Sequence, residues 1–240
     1  MVLSARQRRC HGLSAAGLED LDGHRVDPAA REAFQDLRAA AAAAGFDLRI
    51  ASAYRSFERQ LIIWNGKLSG ERPVLDETDR QIDLAPLDDV ERIERVLRFS
   101  AMPGASRHHW GTDMDVYDAG AVAPDYRLCL SAAEVAEDGP FAPLHRWLDE
   151  RIADGTSRGF FRPYDRDRGG IAPERWHLSF APMAEELARE FTLEGLRRAW
   201  REARVRSAPV AQQDVLESRL APLVERFVTR VAGAPAAMTG

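Results

Sequence analysis

Ser106-Arg-His-His-Trp-Gly-Thr-Asp-Met-Asp115 is the stretch on which the reading of this chain turns, and Glu174-Arg-Trp-His177 answers it further along. Together they offer histidines, carboxylates and a separate Glu, set beside Gly and Trp residues that shape a pocket. That is the inventory of a hydrolytic zinc site: three neutral or anionic ligands, an open fourth position for water, and a base to take its proton. His108 lies in a segment broken by Pro103 and Gly104, and Asp115 lies on the strand expected to follow, so a turn at Gly111 folds both side chains toward one point. Imidazole nitrogen and carboxylate oxygen both bind zinc, at about 2.0–2.2 Å. The third donor has to come from elsewhere, and His177 is the only other His in a comparably structured motif. Glu174 follows Pro173, which biases Ala172 away from helix. A turn leading into a strand lets Glu174 reach the water while His177 binds the metal.

Working outward, Thr112 to Tyr117 reads as a short strand with Asp113, Asp115 and Tyr117 on one face. Trp176 to Phe180 reads as a second, Gly159-Phe160-Phe161 begins a third, and Phe46 to Ala53 alternates as a fourth. Asp27 caps a helix with Pro28 at its first position and Gly45 as its stop. Further helices are expected from Phe57 to near Gly66, from Asp88 through VERIERVLRFSA, and from Phe141 to Ile152. Residues 69 to 86 mix Gly, Pro and charge and suggest a long loop or lid, and residues 165 to 173 a polar loop. Residues 1 to 27 show no clear periodicity and read as an irregular arm. From Pro182 the pattern is helical through MAEELAREF, LEGLRRAWREARV and VLESRLAPLVERFVTRVA, before a disordered-looking tail from Gly233. The layout is α+β: a small, mostly antiparallel sheet carrying the zinc site, flanked by helices, with a helical C-terminal extension.

A chain of 240 residues can bury a core as one domain. Hydrophobic residues at 45% and charged residues at 30% are ordinary for a globular protein, and a net charge of -5 argues against a nucleic-acid partner. Nearly all positive charge is Arg, with Lys67 the only lysine, as a coding bias would produce. Cys10 and Cys129 sit in no CxxC or CxxH motif and read as two free thiols, which suits a reducing compartment. No stretch approaches the roughly 20 apolar residues of a spanning helix, and the first thirty residues hold no apolar run of secretory length. The chain as it stands is therefore expected in the cytoplasm, or in the periplasm if a leader has been removed.

Ser106-x-His108-x-x-Gly111-x-x-x-Asp115 with Glu174-x-Trp176-His177 closely resembles the zinc D-alanyl-D-alanine carboxypeptidase family of the VanY type, whose fold is shared with Hedgehog-like proteins. That family also carries a Tyr-Arg-Ser segment followed by Gln, matched by Tyr54-Arg55-Ser56 and Gln60. The resemblance spans roughly residues 28 to 185, with the blocks in the family's order. It implies one Zn2+ per chain on His108, Asp115 and His177, with Glu174 as general base. It implies Arg55 as a substrate-facing cation that stabilises the oxyanion or holds the terminal carboxylate. Tyr54, Gln60 and Ser106 become candidate contacts of a peptidoglycan-derived peptide or dipeptide, and Trp176 a pocket wall that fixes His177. The implied division is an arm over residues 1–27, a zinc peptidase domain over 28–190, and a helical extension over 191–240 packed back on it rather than used for dimerisation.

Spacing to Gly111 and Asp115 favours His108 over His109 as ligand. Asp113 stands where the family usually has a small residue; it either orients a histidine through a hydrogen bond or is solvated, and buried it needs a partner. His11, His24 and His145 lack motif context and read as surface or packing residues, and Arg197, Arg198 and Arg201 as the wet face of a helix. The activity implied is removal of a C-terminal D-amino acid by metal-activated water. D-Ala-D-Ala dipeptidases, LD-carboxypeptidases and endolysin-type peptidases of the same fold are alternatives. A zinc-stabilised binding module without turnover is an alternative of another class, against which the retained Glu174 and Arg55 weigh.

Overall fold

The computed structural model describes residues 2–205 and 207–235; positions 236–240 of the expected tail lie outside the described residues. In chain order the elements are α1 (Ala5–Cys10), β1 (Glu19–Leu21), β2 (His24–Val26), α2 (Pro28–Ala43), β3 (Leu48–Ser52), α3 (Phe57–Leu68) and α4 (Asp89–Leu97). There follow β4 (Asp113–Asp118), α5 (Ala132–Val135), α6 (Ala142–Ala153), β5 (Phe160–Phe161), β6 (His177–Phe180), α7 (Ala181–Glu190), α8 (Leu193–Ala203), α9 (Gln213–Ser218) and α10 (Leu220–Val224). A short 3-10 turn, Arg107–Trp110, precedes β4.

Four strands form one antiparallel sheet in the order β3-β4-β6-β5, and β1 and β2 form a separate hairpin. Alternation along β4 and β6 sorts the two faces. Met114, Val116 and Leu178 enter a core with Phe34, Leu37 and Ala41 of α2 and Leu144 and Leu148 of α6. The intervening Asp113, Asp115, His177 and Ser179 therefore share the opposite face, all of them buried. The register pairs Asp115 with His177 and Asp113 with Ser179 directly across the two strands.

A second core joins α3 and α4 to the C-terminal helices. Phe57, Trp64, Ile93 and Leu97 pack with Leu196, Trp200, Leu216, Leu220 and Phe227, and Met102 and Ala105 complete the cluster. The helices after Phe191 thus bury their apolar stripe against the rest of the chain. The last stretch is broken where a continuous helix was expected. Pro222 cannot donate to the ladder, so α9 ends at Ser218 and α10 restarts two residues ahead of the proline.

The expectation of an irregular arm over residues 1–27 is corrected. Ser4 and Gln7 form a capping box for α1, and β1 and β2 pair in register. Cys10 of α1 packs with Trp110, Ala184 and Leu187. Arg9 bonds both Asp27 and the Trp110 carbonyl. A six-residue helix and two three-residue strands are too short to show periodicity, which is why the sequence pattern hid them. Among the described residues, no helix is long and apolar enough to cross a membrane.

Candidate metal centre

The polar face of β4 and β6 forms the floor of the site. The 3-10 turn brings His108 over it, aided by Gly111 at φ 71°, where an added Cβ would stand 2.7 Å from the Leu18 side chain. His108 Nδ1 lies 2.9 Å from the Ala53 carbonyl and donates to it, which leaves Nε2 as an acceptor 3.3 Å from Asp115 Oδ2. His177 Nδ1 stands 3.1 Å from Asp115 Oδ1. Its other nitrogen, Nε2, is 3.0 Å from Asp113 Oδ1. Ligand atoms of His108, Asp115 and His177 all lie within 4.8 Å of one another.

This donor set fits zinc. Two ligands of a tetrahedral ion with bonds of about 2.0 Å stand about 3.3 Å apart, close to the spacings between Asp115 and the two histidines. The outer nitrogen of each histidine is turned to a hydrogen-bond acceptor, an arrangement that fixes tautomer and ring orientation in metal sites.

Asp113 has the partners its burial requires. Arg107 Nε donates to Oδ1 at 2.7 Å and Thr112 Oγ1 donates to Oδ2 at 2.7 Å, while Arg107 also reaches Ser179 Oγ at 2.6 Å. Of the two readings left open by sequence, hydrogen bonding to a histidine is the observed one. Burial alone would raise the Asp113 carboxyl, but Arg107, His177 and Thr112 outweigh it and bring it down to about 2. Burial likewise opposes the charge on His177, yet Asp113 and Asp115 raise its imidazole to about 9. Arg107, which stacks over Trp110 with 4.4 Å to the ring, was missed by sequence reasoning. Its only signal is a cation placed just ahead of a glycine turn and two aspartates.

Glu174 follows the polar loop, and its Oε2 is 3.6 Å from His177 Nδ1. Its backbone N–H is tied to the Tyr164 carbonyl and its own carbonyl accepts from His177 N–H, so the turn into β6 is braced from both sides. Burial pushes the Glu174 carboxyl up to about 7, against the pull of His177, Arg55 and Lys67. Tyr164 stacks edge-on to His177 with ring centroids 4.9 Å apart.

The floor opens into a cleft of about 260 Å³ lined by Arg55, Lys67, Ser106, His108, Asp115, Tyr164, Glu174, Trp176 and His177. Its rim is made by Pro73, Leu75, Asp76 and Asp79 of the loop after α3 and by Cys129 and Leu130. Arg98 tethers the rim by bonding Glu77 as well as Asp167 and the Gly170 carbonyl. Two expected substrate contacts do not line this cleft. Gln60 is fully buried behind the wall, where Oε1 accepts from Arg55 Nη1 at 3.0 Å and Nε2 donates to the Ala101 carbonyl. Tyr54 turns its hydroxyl to the Gly12 carbonyl at 3.3 Å. Tyr54 immediately precedes Arg55 and Gln60 lies in the first turn of α3, and the bonds each makes turn it away from the cleft. His109 is no ligand here: Nδ1 donates to the Arg55 carbonyl at 2.6 Å and Nε2 accepts from Gly104 N–H at 3.1 Å. It holds the Arg55 backbone instead.

Comparison with known proteins adds relatives of limited overlap. Two uncharacterized proteins of Haemophilus influenzae (strain Rd) align with the chain, one at 46% identity over 79 residues and one at 29% over 126. The matches cover 33% and 52% of this chain, and 54% and 90% of those proteins, so the chain spans about half the length of the first. A crystal structure of a mutant vancomycin-resistance D,D-pentapeptidase VanY in complex with Zn(II) is similar at a TM-score of 0.48 and 24% identity, covering 75% of this chain and 88% of that one. The model of the VanY D-alanyl-D-alanine carboxypeptidase family matches residues 23–183, more than half of the chain, and the chain belongs to that family.

Proposed function

We propose that this protein is a zinc carboxypeptidase that removes the C-terminal residue from peptides ending in D-Ala-D-Ala. The observation that carries the reading is the convergence of His108, Asp115 and His177 on one buried point, with the Glu174 carboxylate beside it at the base of a cleft. Family membership supplies the substrate class. His108 Nε2, an Asp115 oxygen and His177 Nδ1 would hold the ion. Zinc held there supplies Lewis acidity, which polarises a scissile carbonyl and acidifies a water molecule.

The remaining work falls to the chain's own groups. Glu174 takes a proton from the attacking water as its oxygen bonds to the carbonyl carbon, and returns that proton to the amine nitrogen as the C–N bond breaks. A carboxyl that burial holds near neutrality is suited to both transfers, and a cation at the floor draws it further toward the charged form. Arg55 faces the same cleft with its guanidinium steadied by Gln60 and by Ser52 Oγ at 3.3 Å, so it is oriented toward charge that develops on the substrate. Asp113 holds Nε2 of His177 and so keeps Nδ1 turned toward Asp115 and Glu174.

The test is product analysis by mass spectrometry. Zinc-loaded protein is expected to release one D-Ala from a peptidoglycan-type pentapeptide ending in D-Ala-D-Ala. Glu174→Gln is expected to bind the metal but lower kcat by about 10²–10⁴-fold. Absence of cleavage by the wild type, or undiminished turnover in Glu174→Gln, overturns the reading.

A further inference from the structure

Lys67 is the sole lysine in a chain with 33 Lys and Arg side chains, and it lies in the last turn of α3. Its side chain is half-buried and lines the cleft together with Arg55 and Glu174. The three cations of that cleft differ in how they are committed. Arg107 is bound to Asp113 and Ser179, and Arg55 to Gln60 and Ser52. The ammonium of Lys67 has no hydrogen bond or ion pair among the described residues. An ammonium withdrawn from water without a counter-ion is costly. Burial accordingly draws Lys67 down to about 8, with attraction from Glu174 on one side and repulsion from Arg55 and Arg72 on the other. Lys67 is therefore electrostatically coupled to the candidate base, and it faces the space a substrate would fill.

A carboxypeptidase has to tell the last peptide bond from all the others, and the free α-carboxylate is the group that differs. That carboxylate belongs to the leaving residue, so it lies within about one residue length, 3.3–3.6 Å, of the bond cleaved. The cation that reads it must stand on the cleft wall near Glu174. Arg55 is held in place by two of its five N–H groups, on Gln60 and Ser52, whereas no N–H of the Lys67 ammonium has a partner among the described residues. We propose that Lys67 is the specificity-determining cation of the cleft, pairing with the free α-carboxylate of the peptide's last residue and leaving Arg55 to the carbonyl under attack. The proposal rests on the carboxypeptidase reading above and deepens it. A compact ammonium with three donors suits a carboxylate that arrives and departs with every turnover.

The experiment compares a D-Ala-D-Ala-ended peptide with its C-terminal amide, using zinc-loaded wild type, Lys67→Met and Lys67→Arg. Lys67→Met is expected to raise KM for the free acid at least tenfold and that for the amide by less than twofold, while any change in kcat passed through Glu174 falls on both substrates alike. Lys67→Arg is expected to restore much of the preference for the acid. Equal changes in KM on acid and amide, or an unchanged KM in Lys67→Met with its melting temperature retained, would overturn the assignment. A parallel measurement separates this failure from failure of the parent reading. Calorimetric binding of D-Ala-D-Ala and its amide to Glu174→Gln requires no turnover, and there Lys67→Met should abolish the preference for the free dipeptide. If wild type cleaves nothing yet that preference exists and depends on Lys67, the activity is wrong and the anion site stands; if no preference exists, the site is refuted.

Discussion

The floor and the rim of the cleft are built by opposite rules. On the floor, Asp113, Asp115, His108 and His177 are buried on or over paired strands, and each polar atom that faces inward has a partner: Arg107, Thr112, the Ala53 carbonyl or one another. On the rim, Pro73, Leu75, Asp76, Asp79, Cys129 and Leu130 come from loops, and of these Leu75 and the Cys129 thiol are exposed. The difference teaches where each kind of information resides. The buried polar cluster is held by paired strands and the turn above them, while the rim is carried by loops that can vary without moving it.

That contrast can be broken at several points, in order of expected size. Trp200 donates to the Pro103 carbonyl at 2.7 Å and packs beside Met102 and Ala105, so α8 buttresses the segment that carries His108. Trp200→Ala is expected to cost about 3–5 kcal/mol of stability in denaturant unfolding. A cost below 1 kcal/mol would mean that the floor does not depend on the C-terminal helices. Asp113→Ala removes the partner of His177 Nε2 and leaves Arg107 buried without its carboxylate. Metal affinity should fall by about 10–100-fold; an unchanged affinity in a chelator competition would reduce Asp113 to a partner of Arg107 alone.

An effect confined to acid pH tests the scaffold around both regions. Burial holds His11 below its ordinary range, His109 down at about 3 and His145 down at about 2. Each binds a proton in the unfolded chain below about pH 6.5 that the folded chain refuses. Their contribution to stability is present in full above that pH and is lost as the pH falls below it, by up to about 1.4 kcal/mol per pH unit for each. His145→Gln should flatten the loss between pH 6 and about pH 4, followed by urea unfolding, and an unaltered slope would contradict a buried neutral His145.

The fold was legible where the pattern was long. The two-residue alternation through Asp113, Asp115 and Tyr117 foretold β4, and the capped run from Pro28 foretold α2. Spacing to Gly111 selected His108, and the structure gives His109 a different task, holding Arg55. What escaped was what short elements or distant pairings decide. The α1 helix and its hairpin are too brief to show a period, and Arg107 matters only because a turn carries Asp113 back to it. Gln60 and Tyr54 are substrate candidates through the family resemblance alone, and a shared motif does not say which way a side chain points. Lys67 did leave a trace, as the single lysine, which composition alone assigned to coding bias.

The most direct test of the account is zinc stoichiometry by calorimetric titration, paired with elemental analysis, on wild type, Leu75→Ala and His177→Ala. One zinc per chain is expected in the wild type and in the rim variant Leu75→Ala, and none in His177→Ala. Stoichiometric zinc in a folded His177→Ala protein, or none in the wild type, would contradict it.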